Sequence, residues 1–291
     1  MKMPTVAVIG GDERQRYAAD DLRRAGCVVR EWGLGRTGDG DFREILPADA
    51  VLLPVPCTAD AVSVATPLAQ ALPGLRFSAL ANALPEGTVL LGGKLPEAWK
   101  RIAREHGISA VDYAEDALFQ LKNATPTAEG AILLALDALP CTLCGSRVAI
   151  TGYGRIAALL ADRLRAMGAR TLVLARREDC LIAAGARGHE TALLTVGAPI
   201  RLPSDCRAIF NTVPFPIFDR PSLEKFLPDC VYLELASLPG GMDLAAAGVC
   251  GIRTVHGGGL PGRFFPESAG RIVAETVLSY IPTRNGKDDP L

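Results

Sequence analysis

The chain has 291 residues, of which 49% are hydrophobic, and this is enough to bury the cores of two ordinary domains. Its 31 Lys and Arg residues nearly balance 32 Asp and Glu residues, for a formal charge of -1. The sequence therefore lacks the basic field typical of proteins that bind nucleic acid or an anionic membrane surface. No apolar run approaches the roughly 20 residues that a transmembrane helix needs, and a strand pattern starts at Thr5, which leaves no room for a signal peptide. We expect a cytoplasmic protein that acts on a small molecule.

The eight cysteines lie mostly inside or beside apolar runs, which is typical of free thiols in a protein that needs no disulfides to fold. Cys141 and Cys144 have the spacing of redox and zinc sites. However, neither a second cysteine pair nor paired histidines follow them, and a zinc site needs further ligands. No metal site is predicted.

Residues 1–125 predict a first α/β domain. Short apolar runs alternate with helical stretches, and these runs are continuous rather than alternating, which is typical of strands buried on both faces of a parallel sheet. The predicted strands are residues 5–9, 27–32, 50–55, 88–91 and 108–113.

The chain then predicts a linker helix and a second domain of the same type. Residues 126–144 begin with a stretch that is apolar on nearly every side, as expected of a helix buried between domains. Residues 145–265 repeat the strand pattern, with strands expected at 147–151, 171–175, 208–213, 230–235 and 251–255. A helix at 266–281 is expected to pack back on the first domain, and residues 282–291 are expected to be disordered. The predicted fold class is α/β, with two Rossmann-like doubly wound parallel-sheet domains and an interdomain cleft.

The second domain opens with a dinucleotide-binding fingerprint. Gly152-Tyr153-Gly154-Arg155-Ile156-Ala157 follows a predicted strand and begins a helical pattern, which is the strand-turn-helix context that the fingerprint requires. The first glycine permits the turn, the second lets the backbone approach a pyrophosphate, and the helix N-terminus supplies N–H donors. The alternative is a structural glycine-rich turn without a ligand.

The end of the next strand indicates which dinucleotide is bound. An NAD site places an acidic residue there to bind the ribose 2′-hydroxyl, whereas this chain has Arg176 and Arg177. Two guanidinium groups suit a 2′-phosphate, so the predicted cofactor is NADP. The alternative is that both arginines are ordinary solvated charges.

Later strand ends complete the predicted cofactor site, because ligands of open parallel sheets bind at the carboxyl ends of the strands. The candidates there are small or Pro-rich segments expected beside the ribose and nicotinamide. They are Thr212, Val213, Pro214, Ala236, Ser237, Gly259, Leu260 and Pro261.

Motifs along nearly the whole chain resemble one family, the A subunit of dipicolinate synthase. Early motifs are Gly10-Gly11-Asp12-Glu13-Arg14-Gln15, Leu53-Pro54-Val55 and Asn123-Ala124-Thr125-Pro126-Thr127-Ala128-Glu129-Gly130. Later ones are Gly145-Ser146, Gly152 to Arg155, Asn211-Thr212-Val213-Pro214, Leu235-Ala236-Ser237-Leu238-Pro239-Gly240-Gly241, Gly259-Leu260-Pro261-Gly262 and Ser268-Ala269-Gly270.

The resemblance implies an NADP-dependent oxidoreductase. Its reaction would oxidise dihydrodipicolinate, or a 4-hydroxytetrahydro precursor from the lysine pathway, to the dipicolinate stored in spores. It further implies a flavoprotein partner, the B subunit of dipicolinate synthase, and a location in the cytoplasm of the mother cell of a spore-forming bacterium. The sequence leaves open whether the chain forms a homo-oligomer.

A ring dicarboxylate needs cations or N–H donors for its carboxylates and a proton acceptor for its oxidation. Asp12 and Arg14 follow the first strand and are substrate-binding candidates, although Arg14 also fits a surface charge at a helix start. Asn123, Thr125 and Thr127 are expected where the linker helix begins, where hydroxyls and helix N–H groups could receive a carboxylate; either threonine also fits a simple N-cap. Glu129 and Asn123 are the catalytic candidates.

Two other functions stay open. One is a D-2-hydroxy-acid or alanine-dehydrogenase-like oxidoreductase, which would need a histidine with a carboxylate partner, or a lysine, in the cleft; His256 is the histidine expected on a cleft loop. The other is a non-catalytic protein that binds NADP(H) and delivers its partner flavoprotein to the substrate.

Overall fold

The computed structural model describes residues 3–281 apart from 37–39, 70, 196–197, 199, 201, 225–228 and 243. The chain divides into two compact units, one formed by Met1–Asn123 with Phe265–Leu291 and the other by Ala124–Phe264. The tail predicted at residues 282–291 lies outside the described residues. No helix in the described ranges combines the length and the apolar character needed to cross a membrane.

Within the described residues, unit 1 contains a five-stranded parallel sheet in the order β2-β1-β3-β4-β5. Its strands are β1 (Thr5–Ile9), β2 (Val28–Trp32), β3 (Ala50–Leu52), β4 (Val89–Gly92) and β5 (Ser109–Asp112). Its helices are α1 (Glu13–Arg24), α2 (Phe77–Ala83), α3 (Glu97–Glu105) and α10 (Pro266–Tyr280). Helix α4 (Ala117–Ala138) begins in this unit and ends in the other.

Unit 2 contains, in its described part, a six-stranded parallel sheet in the order β11-β10-β9-β6-β7-β8. Its strands are β6 (Arg147–Thr151), β7 (Arg170–Ala175), β8 (Glu190–Leu193), β9 (Cys206–Asn211), β10 (Val231–Glu234) and β11 (Arg253–His256). Its helices are α5 (Arg155–Ala166), α6 (Glu178–Ala186), α7 (Arg220–Leu223), α8 (Leu244–Val249) and α9 (Leu260–Phe264). The predicted α/β class with two parallel sheets is confirmed.

Both sheets are buried on two faces, because successive residues of each strand point to opposite sides. In β1, Ala7 and Ile9 pack with side chains of α2 and α3, whereas Val6 and Val8 pack with α1 and α10. In unit 2, the strands likewise divide between a core shared with α4 and α5 and a core on the other face. This double burial explains the continuous apolar runs of the sequence.

The linker helix differs from its prediction. Helix α4 begins at Ala117, well before the expected start at Pro126, and Pro126 lies inside it. The start is capped by Asp116, whose Oδ1 accepts a hydrogen bond from the Phe119 N–H at 2.8 Å. An aspartate is among the preferred residues for capping a helix N-terminus, so the sequence does contain a start signal at this earlier position.

Helix α10 lies against α1 within unit 1 at a close approach that depends on glycine. A Cβ added to Gly270 would lie 2.5 Å from the Arg14 carbonyl oxygen and 2.6 Å from the Tyr17 Cβ. Neither atom can shift easily, because the Arg14 carbonyl oxygen belongs to the backbone and the Tyr17 Cβ is bonded directly to the backbone. The final helix is therefore fixed to the first helix of the chain by backbone proximity.

We predict that Gly270→Ala lowers the free energy of unfolding of unit 1 by about 1–3 kcal/mol, because overpacking forces the two helices apart. Gly185→Ala is the matched control: this residue lies in α6, and an added Cβ would meet nothing within 4 Å. The control should be neutral or slightly stabilising, because alanine favours helix over glycine. Urea denaturation followed by circular dichroism measures both, and equal stability of the two variants would contradict the packing argument.

Candidate dinucleotide-binding site

The turn between β6 and α5 has the geometry of a phosphate-binding turn. Gly152 has φ +84°, a conformation that side chains other than glycine rarely adopt. A Cβ added there would also lie 2.6 Å from Thr212 Oγ1. Thr212 in turn donates its hydroxyl to the Thr151 carbonyl oxygen at 2.7 Å. Thr212 thus packs beneath the turn and fixes its shape.

The space above Gly154 is open. Gly154 is the N-cap residue of α5, and a Cβ added to it would meet no atom within 4 Å. Packing within the described structure therefore does not require a glycine at position 154. Close approach of a ligand to the backbone would require one. Arg155 and Ile156 follow it as the first residues of α5. Because the first N–H groups of a helix have no partner in the helical ladder, this end is suited to bind a pyrophosphate.

A cavity of about 480 Å³ lies beside this turn, a volume typical of small-molecule sites. It brings together seven of the sequence candidates: Gly152, Tyr153, Gly154, Arg176, Arg177, Val213 and Pro214. It also includes residues that the sequence did not single out: Ala175, Cys180, Leu194, Phe215 and Ile217.

The two arginines after β7 have different partners. Arg177 is paired with Asp179 and donates to it through both Nε, at 2.9 Å, and Nη2. Arg176 is exposed and has no ion pair within the described residues. No carboxylate follows β7 before Glu178. Of the two candidates, Arg176 is therefore the guanidinium available to a ligand in the cavity.

Tyr153 is held at the cavity by a buried histidine. Its ring meets the ring of His189 edge to face, with 6.4 Å between centroids. His189 is bonded through both nitrogens, to Thr171 Oγ1 at 2.7 Å and to Asp162 Oδ1 at 3.0 Å. The His189 side chain is fully buried. This histidine–carboxylate pair thus supports the wall of the cavity and cannot reach a substrate.

A buried hydrogen-bond network joins the ends of β6, β9 and β10. Thr151 Oγ1 donates to Asn211 Oδ1 at 2.5 Å, and Asn211 Nδ2 donates to Glu234 Oε1 at 2.6 Å. The Tyr232 hydroxyl donates to Glu234 Oε2 at 2.9 Å. Burial raises the pKa of Tyr232 above its usual value and the Glu234 carboxylate raises it further, so the hydroxyl keeps its proton.

This network shapes the loops that were expected to flank the ligand. Asn211 Nδ2 also donates to the Val213 carbonyl oxygen at 3.0 Å, and Glu234 accepts the N–H groups of Ala236 at 3.0 Å and Gly241 at 2.8 Å. The sequence interpretation missed Asn211 and Glu234 as site residues. Their signal was a polar side chain ending an otherwise apolar buried strand, which needs a partner.

The remaining cofactor candidates lie near other strand ends. Ala236 and Ser237 follow β10, and Ser237 is exposed. Gly259 precedes α9 with φ +66°. Leu260 begins α9, is 1% exposed and belongs to the core of unit 2. Pro261 is also buried, and neither Leu260 nor Pro261 lines the cavity beside the Gly152 turn.

Arg14 is not the surface charge that the sequence allowed. It is 9% exposed and donates to Asp12 through Nε, at 2.9 and 3.2 Å, and through Nη2 at 2.8 Å. Its Nη2 also donates to the Val55 carbonyl oxygen. Asp12 caps α1, accepting the Arg14 N–H at 3.0 Å. The helix cap therefore also orients the guanidinium.

Asp12 and Arg14 line a second cavity of about 490 Å³ that lies within unit 1. It is formed by the segments after β1 and β3, where the order of the sheet reverses from β2-β1 to β3-β4-β5. Ligands of open α/β sheets bind at such reversals. The other lining residues are Gly11, Pro54, Val55, Pro56, Ala59, Ala65, Thr66 and Pro67.

The prediction that Asn123, Thr125 and Thr127 lie at a helix start is wrong. All three are inside α4, so neither threonine is its N-cap. Thr127 is buried. A helix interior satisfies its own N–H groups, so the backbone N–H groups at these positions are not available to a carboxylate.

Glu129, the proton-acceptor candidate, forms an ion pair within unit 2. Its Oε1 lies 3.5 Å from Arg163 Nε on α5, and Glu129 lines neither of the two cavities described above. Elsewhere in the described ranges, no group of three His, Cys, Asp or Glu side chains is placed to hold a metal ion.

Solved structures of other proteins share this fold. A D-lactate dehydrogenase from Treponema pallidum superposes with a TM-score of 0.59 at 13% identity, covering 94% of this chain and 94% of that one. The two-sheet fold is thus one that dehydrogenases also use.

The sequence comparisons are more specific. Residues 5–114 match the family described as the N-terminal domain of the dipicolinate synthase A subunit. The A subunit of dipicolinate synthase from Bacillus subtilis (strain 168) is 29% identical over 299 residues, covering 97% of this chain and 98% of that protein. The crystal structure of the same subunit from Bacillus halodurans superposes with a TM-score of 0.83 at 26% identity, over 97% of this chain and 99% of that one. The resemblance to the family of dipicolinate synthase A subunits is therefore confirmed, and the chain is similar to those proteins along nearly its whole length.

Proposed function

We propose that this chain is an NADP-dependent oxidoreductase that oxidises a dihydro- or hydroxytetrahydro-pyridine-2,6-dicarboxylate to dipicolinate. The observation that carries the proposal is the cavity of unit 2, where an open glycine turn lies beside Arg176. The names of the two dipicolinate synthase A subunits that the chain resembles support the choice of dipicolinate as the product.

Bound NADP⁺ would supply the hydride acceptor for the oxidation. The backbone of Gly154 and the first N–H groups of α5 would bind its pyrophosphate. Arg176 would bind the 2′-phosphate through charge-assisted hydrogen bonds, and the apolar lining at Leu194 and Ile217 would contact the adenosine.

The substrate needs a cation for at least one carboxylate, and Arg14 in the cavity of unit 1 is the residue that we assign to it. Asp12 and the Val55 carbonyl fix the guanidinium through Nε and Nη2, and these bonds do not use Nη1. Preorganised donors bind an anion with less loss of side-chain freedom. Asp12 is in this assignment a positioning residue.

The chain would act with a flavoprotein in the cytoplasm of a sporulating cell. This part of the proposal rests on the resemblance and on the word "subunit" in the name of the Bacillus subtilis relative. The proton acceptor is left unassigned, because Glu129 is paired with Arg163.

The dehydrogenase alternative that needs a catalytic histidine has less support. Among the described residues, His189 is paired with a carboxylate but its side chain is fully buried. His256 is exposed at the end of β11, and within the described residues it has no carboxylate partner.

The direct test is an assay at 340 nm with the purified chain, NADP⁺ and enzymatically generated dihydrodipicolinate, with and without the flavoprotein. We expect NADPH to form only when chain, NADP⁺ and substrate are all present. A constant absorbance with the flavoprotein present, from a chain that still binds NADP⁺, would leave a non-catalytic NADP(H)-binding role as the better account.

We expect Arg176→Gln to weaken NADPH binding about 10- to 100-fold and NADH binding little, because a hydrogen-bonded charge contributes roughly 1.5–3 kcal/mol. Arg177→Gln is the matched control and should have the smaller effect, because Asp179 already occupies its guanidinium. Fluorescence titration with both dinucleotides measures this. Equal losses for NADPH and NADH in Arg176→Gln would remove the 2′-phosphate assignment.

We expect Arg14→Lys to raise the KM for the dicarboxylate about tenfold or more without changing the Kd for NADPH, since a lysine ammonium cannot keep the bidentate contact with Asp12 and also present a further fixed donor to the substrate. Arg16→Lys provides the control, because Arg16 lies on the same helix but donates to the Leu34 carbonyl and to Glu13. Steady-state kinetics measures the effect of each substitution on the substrate site of unit 1, and dinucleotide titration measures its effect on the dinucleotide site of unit 2. A KM for Arg14→Lys equal to that of the control would show that Arg14 does not bind substrate.

A further inference from the structure

Glu234 ends β10 and carries a buried charge. The residue is 9% exposed, and its two carboxylate oxygens accept hydrogen bonds from four donors. These donors are Asn211 Nδ2, Tyr232 Oη and the N–H groups of Ala236 and Gly241, at 2.6 to 3.0 Å. Two of the four are backbone N–H groups and one is an amide NH₂, which can only donate, so the pattern is that of a carboxylate.

All four of these donors are uncharged. Within the described residues Glu234 takes part in no ion pair, which is unusual because buried charges are normally paired with an opposite charge or a metal. The network therefore solvates the negative charge without neutralising it. The electric field of the Glu234 carboxylate therefore acts on any ligand that binds beside β10.

The charge of Glu234 lies at the edge of the sheet where a dinucleotide would bind. Glu234 lies at the carboxyl end of β10, beside β9, and the sheet order reverses between β6 and β9. In Rossmann domains a dinucleotide binds across this reversal, with one nucleotide on each half of the sheet. Arg176, the residue assigned to the 2′-phosphate, follows β7 on one side of this reversal, so the nicotinamide half of the ligand would lie on the other side, at β9 and β10.

Gly241 shows how closely the loop after β10 is built around this carboxylate. A Cβ added to Gly241 would lie 2.5 Å from Asn211 Nδ2 and 2.5 Å from the Tyr232 hydroxyl. The loop is thus held against the charge by its own backbone N–H, and the charge stays at a fixed position at the edge of the sheet.

We propose that the buried carboxylate of Glu234 makes this site bind the oxidised nicotinamide dinucleotide more tightly than the reduced one. The inference rests on the proposed function, in that it takes the ligand of unit 2 to be NADP(H). The two redox forms have the same phosphates, riboses and adenine. They differ in the nicotinamide ring, which carries a positive charge when oxidised and none when reduced.

A fixed negative charge in a region of low polarity attracts the oxidised ring and leaves the reduced ring unaffected. Because the carboxylate is shielded from water, salt screens this attraction less than it would at the surface. An interaction of this kind changes the ratio of the two affinities on the order of tenfold. Preference for the oxidised form suits a site whose reaction consumes it.

The test compares Kd for NADP⁺ and for NADPH by calorimetric titration of the full chain. For the wild type we expect the smaller Kd with NADP⁺. In Glu234→Gln, which removes the charge at nearly constant volume, we expect the preference for NADP⁺ to fall about tenfold. The ratio isolates the ring charge, because any loosening of the loop weakens both forms through the contacts that they share.

Tyr232→Phe is the matched control. It removes one hydrogen bond to the same carboxylate but keeps the charge, so the ratio should stay close to that of the wild type. An unchanged ratio in Glu234→Gln, or an equal change in both variants, would overturn the proposal. If Glu234→Gln does not fold, the wild type decides: tighter binding of NADPH than of NADP⁺ would be contrary to the inference.

Failure of the proposed function gives a different result. A wild-type chain that binds neither NADP⁺ nor NADPH would overturn the cofactor assignment and the inference with it. A chain that binds both forms with equal affinity would overturn only the role of Glu234.

Discussion

Parallel pairing places the carboxyl ends of all strands of a sheet at one edge, and each candidate site of this chain follows from that constraint. In unit 1, the segments after β1 and β3 enclose the cavity that contains Arg14. In unit 2, the segments after β6, β7 and β9 enclose the cavity that contains Arg176. Both cavities lie where the order of the strands reverses, since the crossover connections there depart to opposite sides and leave the edge open.

Polar groups at the strand ends are only partly exposed to water, so they would destabilise the fold if they lacked hydrogen-bond partners within the protein. In unit 2 these partners are provided by a network that joins three strands and fixes two loops. Its members are Thr151, Asn211, Tyr232 and Glu234. In unit 1 the pair of Asp12 and Arg14 does the same at a helix start. Such networks are rigid when all of their members are bonded, and rigidity is what a site needs to hold a ligand in one geometry.

Local patterns were sufficient for much of the fold. Continuous apolar runs predicted most strands of both sheets to within a few residues, because double burial imposes that composition. The fingerprint predicted the Gly152 turn, since only glycine suits its positive φ and its contact with Thr212. The short edge strand Glu190–Leu193 was not predicted, because its residues are mostly exposed or half-buried and carry no apolar run.

The incorrect predictions arose where one local sequence pattern was compatible with two different structures. The threonines around Pro126 fit a helix start, but α4 continues through them from Ala117, and the core of unit 2 that covers Ala128 and Ala131 is not visible in a local pattern. Arg14 fits a solvated helix-start charge, yet it is buried by contacts with residue 55, which is distant in sequence. The partner of Glu129 on α5 and the donors around Glu234 are likewise tertiary contacts, so no spacing rule could have predicted them.

The carboxyl edge of the second sheet is proposed to bind NADP through the Gly154 turn and Arg176, and a crystal structure of the chain with NADP⁺ is the decisive measurement. We expect the pyrophosphate at the first N–H groups of α5 and the 2′-phosphate within hydrogen-bond distance of the Arg176 guanidinium. A dinucleotide bound away from this turn, or a 2′-phosphate directed away from Arg176, would contradict the proposal.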